Sequence, residues 1–318
     1  MADDKNPKMP WEGSLGIGRQ SAQGTAVAAT LFFPISEDTC RRETTLHESG
    51  QVASWPGGSA SREQQSTPAV VVKQDDRIGF KCEPRFAHLL LLLPWVLGAD
   101  AGGSEYVPGT AEHWLTVESD KIAEGDDGKS VEQYSDGVVS SLTLESSENG
   151  SLVVTVEGVA CAKTTIAGTA VDWSDWETKP PLMHHNLTIS TDGRPAWLPP
   201  NMVYSLSLEL SAGVEEEHFG NGLTRIAGPS GKFTGTGTLS IPWNDETVGV
   251  RAVLEAGTRF DLHAQYAGYG EETFELQLSC KPTGAPVQIT SSEGLKCEVA
   301  FKCVQTSATH AVKAVFGS

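Results

Sequence analysis

The side chains able to do chemistry are few, and their spacing does not assemble them. His184 and His185 are adjacent, so on a strand they face opposite sides and share no metal, which leaves an ordinary linker pair. Asp126 and Asp127 lack the spaced oxygen ligands of a calcium loop. The glycines of "GSLGIG", 13–18, have no strand before them and no helix after, so they make no dinucleotide site. There is no GxSxG and no Walker lysine. "NLT" at Asn186 matches a glycosylation acceptor, but nothing in the chain reads as a route to the secretory pathway. The expectation is a protein without catalytic residues, metal ligands or cofactor, and not an enzyme. The six cysteines form no CxxC pair and read as reduced thiols. In "CEVAFKC", Cys297 and Cys303 share the apolar face of one strand, six residues apart, where no disulfide can join them.

The elements that would position any site are mostly strands. Leucines 206, 208 and 210 alternate with Ser205, Ser207 and Glu209, and "FELQLSC" alternates likewise through Phe274, Leu276, Leu278 and Cys280. Ser140–Gly158 reads as a hairpin turning at Asn149 and Gly150. Only two segments read as helix. "FAHLLLLLPWVLGAD", 86–100, contains the longest apolar run, but roughly 12 apolar residues interrupted by Pro94 are too few for the ~20 of a membrane span. Arg85–Leu93 is therefore expected as a buried helix that Pro94 and Gly98 bring to an end. "NDETVGVRAVLEAG" is the second, with Asn244 or Asp245 as cap, Glu246 in the first turn and Gly257 as terminator.

At 318 residues the chain predicts two domains, and its net charge of −18 opposes ordinary phosphate-backbone binding. The element order suggests that these domains are one unit duplicated. Each helix is followed by strands and a hairpin, and Ser146, Ser147, Glu148 and Gly150 align with Ser291, Ser292, Glu293 and Gly294 ahead of strands that end in a cysteine. Three regions lack apolar anchors: a polar arm at 37–68, which includes Trp55; an acidic loop at 119–137; and a stretch with a linker near 171–181 that carries Trp173, Trp176 and Trp197. Such aromatics are candidates for assembly loops that order against a partner.

The phrase "LGIGRQSAQGTAVAATLFFPIS", Leu15–Ser36, resembles the opening of the major tail tube proteins of long-tailed bacteriophages, although Arg19 stands where an acidic residue is common. The layout of arm, strand, helix, strand and "GSL" hairpin resembles that family too. The resemblance implies a mainly β chain of two tandem tail-tube-type β-barrel or sandwich domains, each with one flanking helix, spanning 1–170 and 171–318. It also implies stacked rings around a hollow lumen that passes double-stranded DNA without specific binding. Tape-measure and tail-end proteins would be partners, and the place of work a virion assembled in the host cytoplasm, with no membrane. On this reading Glu145, Glu157, Glu209 and Glu275 are lumen-facing candidates, since carboxylates repel the sliding phosphates. A trimeric ring with pseudo-sixfold symmetry is expected from the duplication, with a hexamer as the alternative. The other classes weighed are a β-sandwich adhesin binding carbohydrate or protein, and a capsid decoration or tail-completion protein.

Overall fold

A computed structural model of the chain describes residues 14–33, 35–47, 70–102, 104–109, 114–120, 131–167, 179–190, 195–198, 202–214, 224, 231–244, 249–284, 287–290, 294–306 and 309–317. The first half contains β1 (Ser14–Arg19), β2 (Leu31–Phe33), β3 (Ile35–Asp38), β4 (Arg41–His47), β5 (Val70–Cys82), α1 (Phe86–Leu97), β6 (Gly98–Gly102), β7 (Glu105–Pro108), β8 (Leu115–Asp120), β9 (Val131–Ser147), β10 (Val153–Ala160) and β11 (Ala162–Ile166). A 3₁₀ turn (His184–Asn186) then leads into β12 (Leu187–Ile189), β13 (Ser205–Ser211), β14 (Thr234–Pro242), α2 (Val250–Ala256), β15 (Phe260–Ala267), β16 (Thr273–Gly284), β17 (Val287–Thr290), β18 (Gly294–Cys303) and β19 (Val312–Gly317). The protein is mainly β, and its strands form one continuous antiparallel sheet.

The same pairings occur in both halves. β5 lies against β10 as β14 lies against β18. β9 lies against β10 and β11 as β16 lies against β18 and β19. β8–β9 and β1–β8 correspond to β15–β16 and β12–β15. Finally, β3 and β4 flank β5 as β13 flanks β14. Each half places its helix directly after the strand so flanked.

The leucine-rich helix α1 follows from its pattern, with one correction. Pro94 lies inside it rather than at its end, and the helix stops one turn later at Gly98, whose left-handed backbone (φ 88°) suits glycine. The backbone bond forfeited at Pro94 is that to Leu90, the most exposed leucine of the helix at 37 %. Leu89, Leu92 and Leu93 are fully buried in the core. α2 begins at Val250, later than the expected caps Asn244 and Asp245, with no side-chain cap on Gly249; residues 245–248 are outside those described. It ends as expected at Gly257, also left-handed (φ 59°).

Two segments expected to be loops are partly strand. Glu37–His47, the start of the expected arm, forms the end of β3 and all of β4, paired along β5. β4 is largely exposed, so only its backbone ladder holds it and no alternation marks it. Residues 48–69, including Trp55, lie outside the described residues. Of the expected acidic loop 119–137, Ser119 and Asp120 end β8 and Val131–Gly137 open β9; only 121–130 lie outside. The hairpin turn has Asn149 left-handed (φ 63°), but Gly150 is not, so it is not the two-residue turn its sequence suggests.

β9 changes partners midway. Its first part pairs with β8 and β11, and its second with β10 and β13. The switch falls at Asp136 (φ 53°) and Gly137, where a Cβ would sit 2.7 Å from Ile78 Cδ1. Asp136 Oδ1 accepts hydrogen bonds from Gln20 Nε2 (3.0 Å) and Gly24 N (2.7 Å), and its own N–H donates to Gln20 Oε1 (2.9 Å). These bonds offset the cost of a non-glycine left-handed residue.

Leu92→Asp should therefore abolish folding of the first half, because an unpaired buried carboxylate costs several kcal/mol. Leu90→Asp, on the exposed side, should shift the thermal midpoint by no more than a few degrees. Equal midpoints for the two variants would contradict this placement of the helix.

Candidate functional site

The surface where the halves meet has a defined geometry. β9 and β13 pair over seven residues, from Ser147 opposite Ser205 to Ser141 opposite Ser211. Toward the core Leu142 faces Leu210 and Leu144 faces Leu208, all buried, each such side chain contributing roughly 1.5–3 kcal/mol. A chain of buried polar groups runs behind this ladder. His184 Nε2 donates to the Val203 carbonyl (2.8 Å), so in the neutral ring Nδ1 accepts from the Ser146 hydroxyl (2.7 Å). Ser146 is also hydrogen-bonded to Tyr266, which stacks on Phe274. One hairpin of the first half is thus tied to the linker and to two points of the second. His184 belongs to this joint, while His185 is exposed.

The linker is itself stitched down. Leu152 N donates to Leu182 O (2.6 Å), His184 N to Gly150 O (2.9 Å) and Glu148 N to Tyr204 O (2.8 Å). Lys179 pairs with Glu272 at 2.7 Å, and its carbonyl accepts from Arg85 Nε at 3.1 Å. A second strand pairing crosses the halves where β7 meets β19.

On its outer face the joined sheet is rich in hydroxyls. Residues in register give one row across six strands: Lys81, Thr155, Thr143, Glu209, Thr236 and Lys302. Neighbouring rows add Ser141, Glu145, Glu157 and Ser207. Glu145, Glu157 and Glu209 are exposed on three adjacent strands, β9, β10 and β13. Glu275 lies apart from them. It is half-buried on the first part of β16, between Gln265 and Val315, and its Oε1 is 3.1 Å from His263 Nδ1.

Three exposed apolar side chains, Leu46 (56 %), Val70 (61 %) and Val72 (45 %), mark the far end of the β4–β5 hairpin. Trp197 is instead buried and edge-on to Phe260 (5.4 Å), packed within this chain. Trp173 and Trp176 lie outside the described residues. Among the described residues no cluster of metal-binding side chains occurs, and no helix is long and apolar enough to cross a membrane.

The two halves share one strand arrangement and are joined edge to edge by strand pairing. The sequence model of the family described as phage tail tube protein matches residues 11–303, and the chain belongs to that family. No curated protein matches it. Membership makes it a structural component of a phage tail, which is a multi-subunit, self-associating assembly.

The residues that sequence reasoning missed are Ser146, Tyr266, Gln20 and Asp136, whose partners are remote in sequence. A signal for the ladder did exist: "SSLTLESS" and "SLSLELS" carry the same serine and leucine alternation.

Burial pushes the Tyr266 phenol up to about 12, against about 10 in an unfolded chain. A raised acid stabilises the fold fully below its unfolded value, and that contribution is lost as pH rises through the folded one. The urea midpoint should hold to about pH 8, begin to fall at about pH 8.5 as unfolded thiols ionise while Cys82 stays protonated in the fold, and fall more steeply between about pH 10 and 12 as Tyr266 adds its share. Tyr266→Phe should lose about 1 kcal/mol at neutral pH and show a shallower alkaline fall; the remainder comes from Tyr134 and from the thiols of Cys82, Cys280 and Cys297, all of which burial raises as well.

Proposed function

We propose that the chain comprises two tandem tube domains, 1–170 and 171–318, and that three chains close a pseudo-sixfold ring. Rings stack into a hollow tube through which double-stranded DNA leaves the capsid. The β9–β13 ladder carries this reading, because it is a joint between equivalent units that can be repeated between chains. Among the described strands, β3 and β4, the counterparts of β13, pair only with β5. β17, which continues the counterpart of β9, pairs only with β18. A second copy placing its β3–β4 edge against β17 and the end of β16 would reproduce the internal joint.

The same edge is guarded in the free subunit. Ser279 donates to Ala311 O and accepts from Val304 N, so its peptide faces β18 and β19; by strand alternation the peptides of Cys280 and Pro282, one and three residues on, face the other way. Pro282 therefore offers no donor at the edge, and Lys281 adds charge beside it, both of which discourage promiscuous pairing.

The hydroxyl-rich face is the proposed lumen, with Glu145, Glu157 and Glu209 set toward DNA to repel its phosphates, and Lys81 and Lys302 flanking them. Glu275, paired with His263, has the weakest claim among the acidic candidates. Leu46, Val70 and Val72 are the proposed contact between stacked rings. Tape-measure and tail-end proteins are the further partners, and assembly occurs in the host cytoplasm. A ring of six chains, each supplying one enlarged domain, is the competing geometry. The adhesin reading loses one aromatic of its binding platform with the burial of Trp197.

Native mass spectrometry of isolated rings should give three chains. Zero-length carbodiimide coupling should join Lys281 to Glu37 or Glu43 of another chain in rings and not in monomers. Six chains per ring would overturn the stoichiometry, and rings without that link would place the joint elsewhere. Val70→Asp with Val72→Asp should leave rings intact while raising the protein concentration needed for tubes by roughly tenfold or more. Unchanged tube growth would remove the hairpin from the stacking contact.

A further inference from the structure

We propose that Cys280 and Cys303 are a disulfide-forming pair, a modification site that closes when the subunit meets a low-molecular-weight disulfide. The two residues are in-register partners on β16 and β18, and their thiols are hydrogen-bonded to each other. Because the Ser279 peptide faces β18 and β19, the Cys280 peptide faces away, which makes Cys280 and Cys303 a non-hydrogen-bonded cross-strand pair. Such pairs have Cα atoms about 4.5 Å apart, inside the range of about 4.4–6.8 Å that a disulfide spans.

Two features favour reaction over simple core packing. Opposite the pair stands Gly235, where a Cβ would lie only 3.1 Å from Cys303 Sγ, so the glycine leaves the sulfur room. Exposure is also unequal: Cys280 is fully buried, while Cys303 is only partly buried. Cys303 as thiolate attacks the small disulfide and expels one thiolate, leaving a mixed disulfide. Cys280 then attacks the Cys303 sulfur of that intermediate and expels the second. Two protein thiols and one small disulfide become one protein disulfide and two small thiols, with the protein oxidised and the reagent reduced. Burial holds the Cys280 thiol well above its ordinary range, so the second step depends on its contact with Cys303 and both stay reduced in a reducing cytosol. A tail protein works outside the cell, where thiols meet oxidants.

The bond would lie at a branch point. β16 pairs with β19 up to Leu278 and with β18 from Cys280 onward, so a covalent link there holds three strands together.

The test is to incubate the folded full-length protein with oxidised glutathione and map its peptides without reduction. The expected result is one peptide pair joining Cys280 to Cys303, with the loss of two hydrogen atoms. Cys280→Ser should stop at a glutathione adduct on Cys303, whereas Cys303→Ser should resist modification of Cys280. The oxidised wild type should melt roughly 5 °C higher, reversibly with reductant, and neither variant should respond. Stable separate adducts on the wild type, or a different cysteine pairing, would overturn the site. A bond formed with no rise in melting temperature would overturn its bracing of the branch point.

Discussion

An antiparallel sheet edge is a row of donors and acceptors that must be paired, covered or blunted, and this fold depends on how one such edge is closed. The second part of β9 would be an edge of the first half, and β13 an edge of the second. Their ladder removes both at once and places four leucines in register beneath it. The buried chain from Tyr266 through Ser146 and His184 to Val203 adds direction, since each hydroxyl and ring nitrogen has one role that satisfies its neighbour. A half-satisfied chain in that position would cost more than an apolar one. The linker and the β7–β19 pairing hold the joint from both ends.

That joint is possible only because β9 serves two partner sets. A straight strand of its length would keep one pair of neighbours throughout; the left-handed Asp136 and the crowded Gly137 let it turn between them. The cost is met by remote groups, Gln20 and Gly24, so the N-terminal strand segment braces a bend more than 100 residues away in sequence. In the second half the corresponding strand carries Cys280, opposite Cys303 of β18, where it passes from β19 to β18. Both halves therefore concentrate their special chemistry where one strand changes neighbours.

The outer face shows a different selection. Serine and threonine satisfy strand geometry without offering a large apolar or aromatic surface, and the carboxylates stand among them rather than in a pocket. Among the described residues of the in-register row across these strands no aromatic occurs, and lysines stand only at its two ends, Lys81 and Lys302. The hydroxyl face and the leucine face are the two sides of the same strands, so alternation alone produces both.

Much of this was legible in the amino-acid order. Alternation identified the second part of β9, β10, β13, β16 and β18, and the leucine run with Gly98 identified α1, because periodicity and left-handed glycine are local properties. β4 was not legible, since a strand wet on both faces has no alternation to read, and neither was the helical place of Pro94, which depends on Leu90 facing outward. The three carboxylates could be assigned to outward strand positions, but not to neighbouring strands. Tertiary structure alone decided that Ser146 meets His184 and Tyr266, that Asp136 meets Gln20, and that Cys303 faces Cys280 rather than sharing only a strand with Cys297. Local order sets which face a side chain takes; register between strands distant in sequence sets what it meets there, and register is fixed by the packing of the whole sheet.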